Sequence, residues 1–247
     1  MNHGWLAGPL FWAGFALSLP QALMVRRRAL RLGPAEGPTT GRYGRGERCR
    51  LVGIGDSIIA GVGAGQTEAM LTAQVARAWA EHDGVEVEWQ AFGRNGIDAA
   101  AITSKLVPRL PPLPVDRFLV SVGVNDVTGL RSLYRWRADL ARLLEALKLH
   151  SPDAAICLLA IPPMERFPAL PQPLAATLGL RARAFNRAAR NCIAGQPRIG
   201  HPEYSNLDPL NASDFAEDGY HPNAESCRRM AQLLAAPWPF GLDSAIG

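Results

Sequence analysis

Ser57 sits in the run Gly55-Asp56-Ser57-Ile58, directly after the apolar stretch RLVGIG (50–55) and before AGVGAG, so its hydroxyl stands where a strand turns toward a helix. A hydroxyl is a weak nucleophile near neutral pH and needs a base, and the base must itself be oriented. Of the five histidines only His221 has an aspartate three residues before it, Asp218 in DGYHPN (218–223). His3 precedes an apolar run, His82 and His150 close helical patterns, and His201 stands before Pro202. Asp218 can hold one imidazole tautomer and stabilise its cation while His221 takes the proton from Ser57, which is the chemistry of nucleophilic acyl transfer. Pro222 then opens a helix at a position where a missing N–H costs nothing.

Acyl transfer also needs donors where a carbonyl oxygen becomes an oxyanion. Two further strand ends supply them: Gly93-Arg94-Asn95-Gly96 after VEVEWQAF, and Gly123-Val124-Asn125-Asp126 after RFLVSV. The Gly93 N–H, the Asn125 side-chain amide and the Ser57 N–H are the candidate oxyanion hole. Asp56 and Asp126 are expected to brace their loops rather than react. Taken singly, each stretch is an ordinary turn; their weight lies in falling at consecutive strand ends. GVGAG (61–65) lacks the G-x-G-x-x-G spacing, and no Walker-type G-K-[ST] occurs, which argues against a phosphate cradle. Residues 161–174, IPPMERFPALPQPL, should form a stiff apolar loop beside the site, with Phe167 and Leu170 as substrate-binding candidates and Leu174 beside them.

These residues need a scaffold that gathers strand ends. Strand-like runs at 50–55, 85–92, 117–123, 154–161 and near 197–201 alternate with helical patterns near 67–82, 97–107, 130–149, 178–194 and 222–235. Leu133, Leu140, Leu143, Leu144 and Leu147 share one stripe of the long helix in the third strand-to-strand connection. Such alternation predicts a three-layer α/β/α domain of flavodoxin-like winding with a mainly parallel five-stranded sheet. Ligands then sit outside the carboxyl ends of the strands, where the candidates fall. The expected division is an N-terminal membrane anchor over 1–28, a linker over 29–48, the catalytic domain over 49–240 and a tail over 241–247.

The formal charge of +4 is local, because residues 1–50 carry eight arginines against Glu36 and Glu47 and the remainder is slightly acidic. No basic face interleaved with aromatics follows, so nucleic acid is not expected as a partner. Cys49, Cys157, Cys192 and Cys227 are widely spaced, without metal-ligand spacing, and neither a metal nor a cofactor is expected. From Trp5 to Val25 the chain carries no formal charge, and Arg26, Arg27, Arg28 and Arg31 follow. That run is long enough to span a bilayer. With the positive charge after it, it reads as an uncleaved anchor with the domain on the cytoplasmic side; the alternatives are an extracytoplasmic domain and a helix lying in the interface. Oligomeric state is not legible.

The ordered blocks Ser57 in its Gly-Asp-Ser run, Gly93, Asn125 in Gly-x-Asn-Asp, and Asp218 with His221 resemble those of the SGNH (GDSL-like) hydrolases, over roughly residues 50–235. Ile58 departs from the leucine of the family's first block, at an apolar packing position. The resemblance implies an α/β/α fold, metal-free hydrolysis of carboxylic esters or thioesters through an acyl-enzyme, and the three oxyanion donors named above. It leaves open lipid, carbohydrate-acetate and aryl esters as substrates; the apolar loop and the N-terminal run favour long-chain acyl esters such as lysophospholipids. The alternatives are an acyltransferase using the same residues and a catalytically silent, membrane-anchored binding module.

Overall fold

The computed structural model describes residues 18–202 and 211–235. Its sheet has six strands: β1 (Thr40–Tyr43), β2 (Arg48–Gly55), β3 (Glu86–Gly93), β4 (Arg117–Ser121), β5 (Ala155–Leu158) and β6 (Ile199–Gly200), in the order β1-β3-β2-β4-β5-β6. The last five are mutually parallel, as the alternation of strands and helices requires, and β1 runs antiparallel along the β3 edge. From β2 the chain winds first to β3 on one side and then to β4 on the other. That reversal opens a crevice at the carboxyl end of β2, where Ser57 lies.

Side-chain alternation along the strands divides the interior into two cores. On one face Leu51, Leu119 and Cys157 pack beneath α1 (Leu71–Asp83) and α6 (Ala224–Ala235), which contribute Val75, Trp79, Met230 and Leu234. On the other, Val52, Phe118 and Ile156 meet α2 (Ala99–Lys105), α4 (Leu133–His150) and α5 (Leu174–Ile193). Trp136 stacks on Phe185 there at 5.3 Å and donates its indole N–H to the Phe185 carbonyl. Leu140, Leu143, Leu144 and Leu147 are buried as their stripe predicts, each worth roughly 1.5–3 kcal/mol of transfer free energy. Leu133, at the first position of α4, is exposed.

The helix expected over 130–149 is preceded by a separate short one, α3 (Val124–Thr128); Ser132 then caps α4 by accepting the Arg135 N–H at 3.2 Å. A larger difference concerns residues 29–48. The stretch rich in Gly and Pro that reads as linker contributes β1, whose pairing with β3 runs from Thr40 opposite Gln90 to Tyr43 opposite Val87. Gly41 permits it: a Cβ there would come within 2.8 Å of the Trp89 indole nitrogen. The sheet thus gains a sixth, edge strand through backbone pairing, which needs no apolar periodicity.

Residues 18–28 are helical and lie against the domain. Ala22 and Val25 pack on the α4/α5 core, and Gln21 exchanges hydrogen bonds with the Gln172 carbonyl (2.6 Å) and the Leu174 N–H (3.2 Å). Among the described residues no helix is long and apolar enough to cross a membrane. The expected span falls largely on residues 5–17, and the expected domain end and tail on 236–247, both outside the described residues.

Candidate active site

β2 delivers Ser57 through a junction that tolerates no side chain at Gly55: a Cβ there would lie 2.1 Å from the Ser121 carbonyl oxygen, because the ends of β2 and β4 converge. The Asp56 N–H donates to that same carbonyl at 3.0 Å. The chain then coils, with Ala60 N–H to Asp56 O and Val62 N–H to Ser57 O, both 3.0 Å. Beneath the serine, Asp56 is buried and accepts from the Ser121 hydroxyl (2.8 Å) and the Ile58 N–H (3.1 Å). Burial pushes its carboxyl above the ordinary aspartate value, and those hydrogen bonds oppose the shift in part. Asp56 thus ties the turn to β4 through these hydrogen bonds.

His221 arrives from the loop before α6. A bridge between Phe215 and Pro222 closes that loop, reinforced by Ala216 N–H to His221 O at 2.8 Å. Asp218 serves the loop twice. Its Oδ1 accepts the N–H groups of Tyr220 (2.9 Å) and His221 (3.0 Å), while its Oδ2 meets the imidazole Nδ1 at 2.6 Å. An acceptor at Nδ1 assigns the proton to that nitrogen and leaves Nε2 with a lone pair facing the Ser57 Oγ at 2.9 Å. Burial raises the Asp218 carboxyl, but the imidazole and the two backbone donors outweigh it and hold the group below its ordinary value. The carboxylate therefore stays charged where an imidazolium must be stabilised.

Glycine again sets how closely the two loops approach. Gly63 has φ +90, and a Cβ on it would lie 2.6 Å from the Pro222 carbonyl and 3.1 Å from the His221 Cβ. Gly93, at the end of β3, packs on the serine turn itself, its Cβ position only 2.1 Å from the Ala60 nitrogen. Asn125 lies in α3, at the end of β4. Its Nδ2 donates to the Ile97 carbonyl at 2.9 Å, which joins the loops after β3 and β4 and occupies one of the two amide hydrogens. Gly93 and Asn125 thus belong to the two strand ends flanking the Ser57 turn. Asp126 is buried, accepts the Ala99 N–H at 3.2 Å, and its Oδ1 has no partner; burial pushes its carboxyl up to about 7. It ties α3 to α2, a bracing contact.

A cleft opens at Ser57 and His221, with Ile58, Val124, Ile161, Pro162, Phe167 and Phe215 among its mostly apolar walls. Phe167 meets Phe215 at 5.3 Å and Tyr220 at 4.9 Å, both edge to face. Leu170, expected beside it as a substrate contact, is buried in the core and does not line the cleft. Its loop turns inward after Phe167, where the Ala169 N–H is fixed by the Gly219 carbonyl at 3.1 Å. Three supporting residues carry no local sequence signal. Ser121 supports Asp56 from another strand; Asp214 pairs with Arg229 and its carbonyl receives the Ser226 hydroxyl; Asn223 spans the loop to the Ser213 carbonyl.

A mainly parallel sheet between two helical layers, with Asp218, His221 and Ser57 hydrogen-bonded in series on the loops at its carboxyl edge, is the architecture of a hydrolase or acyltransferase of the SGNH type. The model of the GDSL-like Lipase/Acylhydrolase family matches residues 54–229, and the chain belongs to that family. No curated protein matches it by sequence. Among solved structures, a lipase from a goat rumen metagenome is 18% identical with a TM-score of 0.62, over 78% of this chain and 98% of that one. A family 3 carbohydrate esterase of Clostridium thermocellum is 15% identical with a TM-score of 0.60, over 76% and 93%. An acetyl xylan esterase of Geobacillus stearothermophilus is 18% identical with a TM-score of 0.56, over 81% and 98%. At these identities the likeness is one of fold.

Proposed function

We propose that the protein is a carboxylic ester hydrolase working through an acyl-enzyme on Ser57. The observation that carries this reading is the unbroken relay from Asp218 Oδ2 to His221 Nδ1 (2.6 Å) and from His221 Nε2 to Ser57 Oγ (2.9 Å). As Oγ bonds to the acyl carbon, its proton passes to His221, whose cation Asp218 stabilises. Negative charge gathers on the former carbonyl oxygen and is met by the N–H groups of Ser57 and Gly93 and by the free hydrogen of the Asn125 amide. Collapse expels the alcohol, which takes the proton back from His221. Water then repeats the sequence and releases the acid.

The apolar cleft fits the acyl portion, in keeping with long-chain acyl esters as substrates. The exposed side chains Leu19, Leu23 and Met24, followed by Arg26, Arg27 and Arg28, favour a membrane-associated protein, and the arginines after the apolar run favour the cytoplasmic side for the domain. A p-nitrophenyl ester series from acetate to decanoate, assayed with the wild-type chain and Ser57→Ala, tests the catalytic reading. Turnover should fall at least about 10³-fold in the variant, and a fluorophosphonate should label only the wild type. Undiminished hydrolysis by Ser57→Ala would overturn the reading.

A further inference from the structure

A second, open cleft lies beside the strand end that carries Gly93. Its walls include Arg94, Gly96, Ile97, Asp98 and Lys105. The acid among them is already satisfied, because Asp98 pairs with Arg131 and accepts the Ala101 N–H at 2.9 Å. Arg94 and Lys105 make no ion pair with any described residue. The cleft thus carries two cations outside any ion pair, with Asp98 acting on Lys105 only at longer range, whereas the one at Ser57 is mostly apolar.

Both clefts are built on the same junction. The Arg94 N–H donates to the Gly55 carbonyl at 3.1 Å, two residues before the nucleophile, and the Ile97 carbonyl receives the Asn125 amide. A tetrahedral carbon on Ser57 points its acyl chain and its departing alcohol in different directions. The apolar cleft suits the acyl chain, and a cationic cleft does not. We infer that the Arg94/Lys105 cleft binds an anionic group, phosphate or carboxylate, carried on the alcohol portion of the ester. The inference rests on the acyl-enzyme reading above. A guanidinium presents paired donors to either anion, and the neighbouring ammonium adds a point charge.

The test compares kcat/KM for 1-butyryl-glycerol 3-phosphate, the butyrate ester of glycolic acid and neutral 1-butyryl-glycerol. At least one anionic ester should be preferred about fivefold or more, since two solvent-exposed cations each contribute a few-fold. The preference should fall to about one in Arg94→Gln/Lys105→Gln and survive in Arg94→Lys. A wild-type preference of one or less, or a preference unchanged in the double variant, overturns the proposal. Calorimetric titration of glycerol 3-phosphate into Ser57→Ala, with and without the two glutamine substitutions, reads the site without turnover. Inorganic phosphate is titrated alongside, and its binding equally well without any preference among esters also overturns the assignment to the leaving group. If no ester is turned over in a Ser57-dependent way while glycerol 3-phosphate still binds through Arg94 and Lys105, the acyl-enzyme reading fails and the anion site stands. Turnover of neutral esters alone fails the anion site and keeps the acyl-enzyme.

Discussion

One carboxylate both shapes the histidine loop and orients its imidazole, since Asp218 spends one oxygen on two backbone donors and the other on Nδ1. Asp218→Asn can keep the first role but offers Nδ1 no charge and permits the wrong tautomer. Its kcat should drop about 10³–10⁴-fold while circular dichroism stays native. Asp126 poses the opposite electrostatic problem, being an acid that folding drives from 3.8 to about 7. The folded state holds the proton more tightly, so this group's contribution to stability is complete below pH 3.8, declines as pH rises, and levels off above about 7. The decline is about 1.4 kcal/mol per pH unit. Asp126→Asn removes that slope: relative to wild type, the variant should gain up to about 3 kcal/mol between pH 5 and pH 8, read from denaturant midpoints. Identical pH dependence in the two chains would refute a buried, unpaired acid at this position. At this scale Ser57, Asp218 and His221 are legible because a turn after a strand and a D-x-x-H spacing are local patterns. Ser121 and Asp214 are not, because their partners lie on other segments and only folding brings them near.

The elements meet at distances that glycine sets, and Gly63 is where the serine and histidine loops touch. A methyl group there would press on Pro222 and His221, and the residue's φ of +90 already disfavours any side chain. Gly63→Ala should therefore move the base from the nucleophile and lower kcat by about 10²-fold, read at a temperature where circular dichroism shows the variant folded. On the opposite wall, Phe167→Ala empties a site packed between Phe215 and Tyr220. It should destabilise the fold by about 3–5 kcal/mol and shift acyl preference toward longer chains in the p-nitrophenyl series. An unchanged chain-length profile would remove Phe167 from the acyl wall. The parallel strands and their helices are legible because burial on both faces writes the central strands as apolar runs and the half-buried β3 as alternation. β1 is not, since Thr-Gly-Arg-Tyr contributes mainly backbone hydrogen bonds at an edge, and Leu170 misleads because an apolar residue in a loop reads alike whether it faces a ligand or the core.

At the scale of the whole molecule, the N-terminal helix and the active-site wall are mechanically joined. Gln21 holds Gln172 and Leu174, which end the same loop that places Phe167 in the cleft. The helix buries Ala22 and Val25 against the domain and leaves Leu19, Leu23 and Met24 exposed, with Leu30 exposed beyond the arginines. Under the proposed membrane association the apolar side chains would enter the acyl layer and the arginines would meet anionic headgroups. Each arginine near such a surface contributes about 1 kcal/mol, so Arg26→Gln/Arg27→Gln/Arg28→Gln should weaken co-sedimentation with phosphatidylglycerol vesicles by about 10²-fold. A chain beginning at residue 32 retains β1 and should lose vesicle binding while keeping hydrolysis of soluble butyrate esters. If that shortened chain binds the vesicles as tightly as the full one, the membrane contact lies elsewhere on the molecule. If it binds none but also loses soluble-ester turnover, the Gln21 contacts are required for the cleft itself, and the helix is part of the catalytic domain rather than its tether.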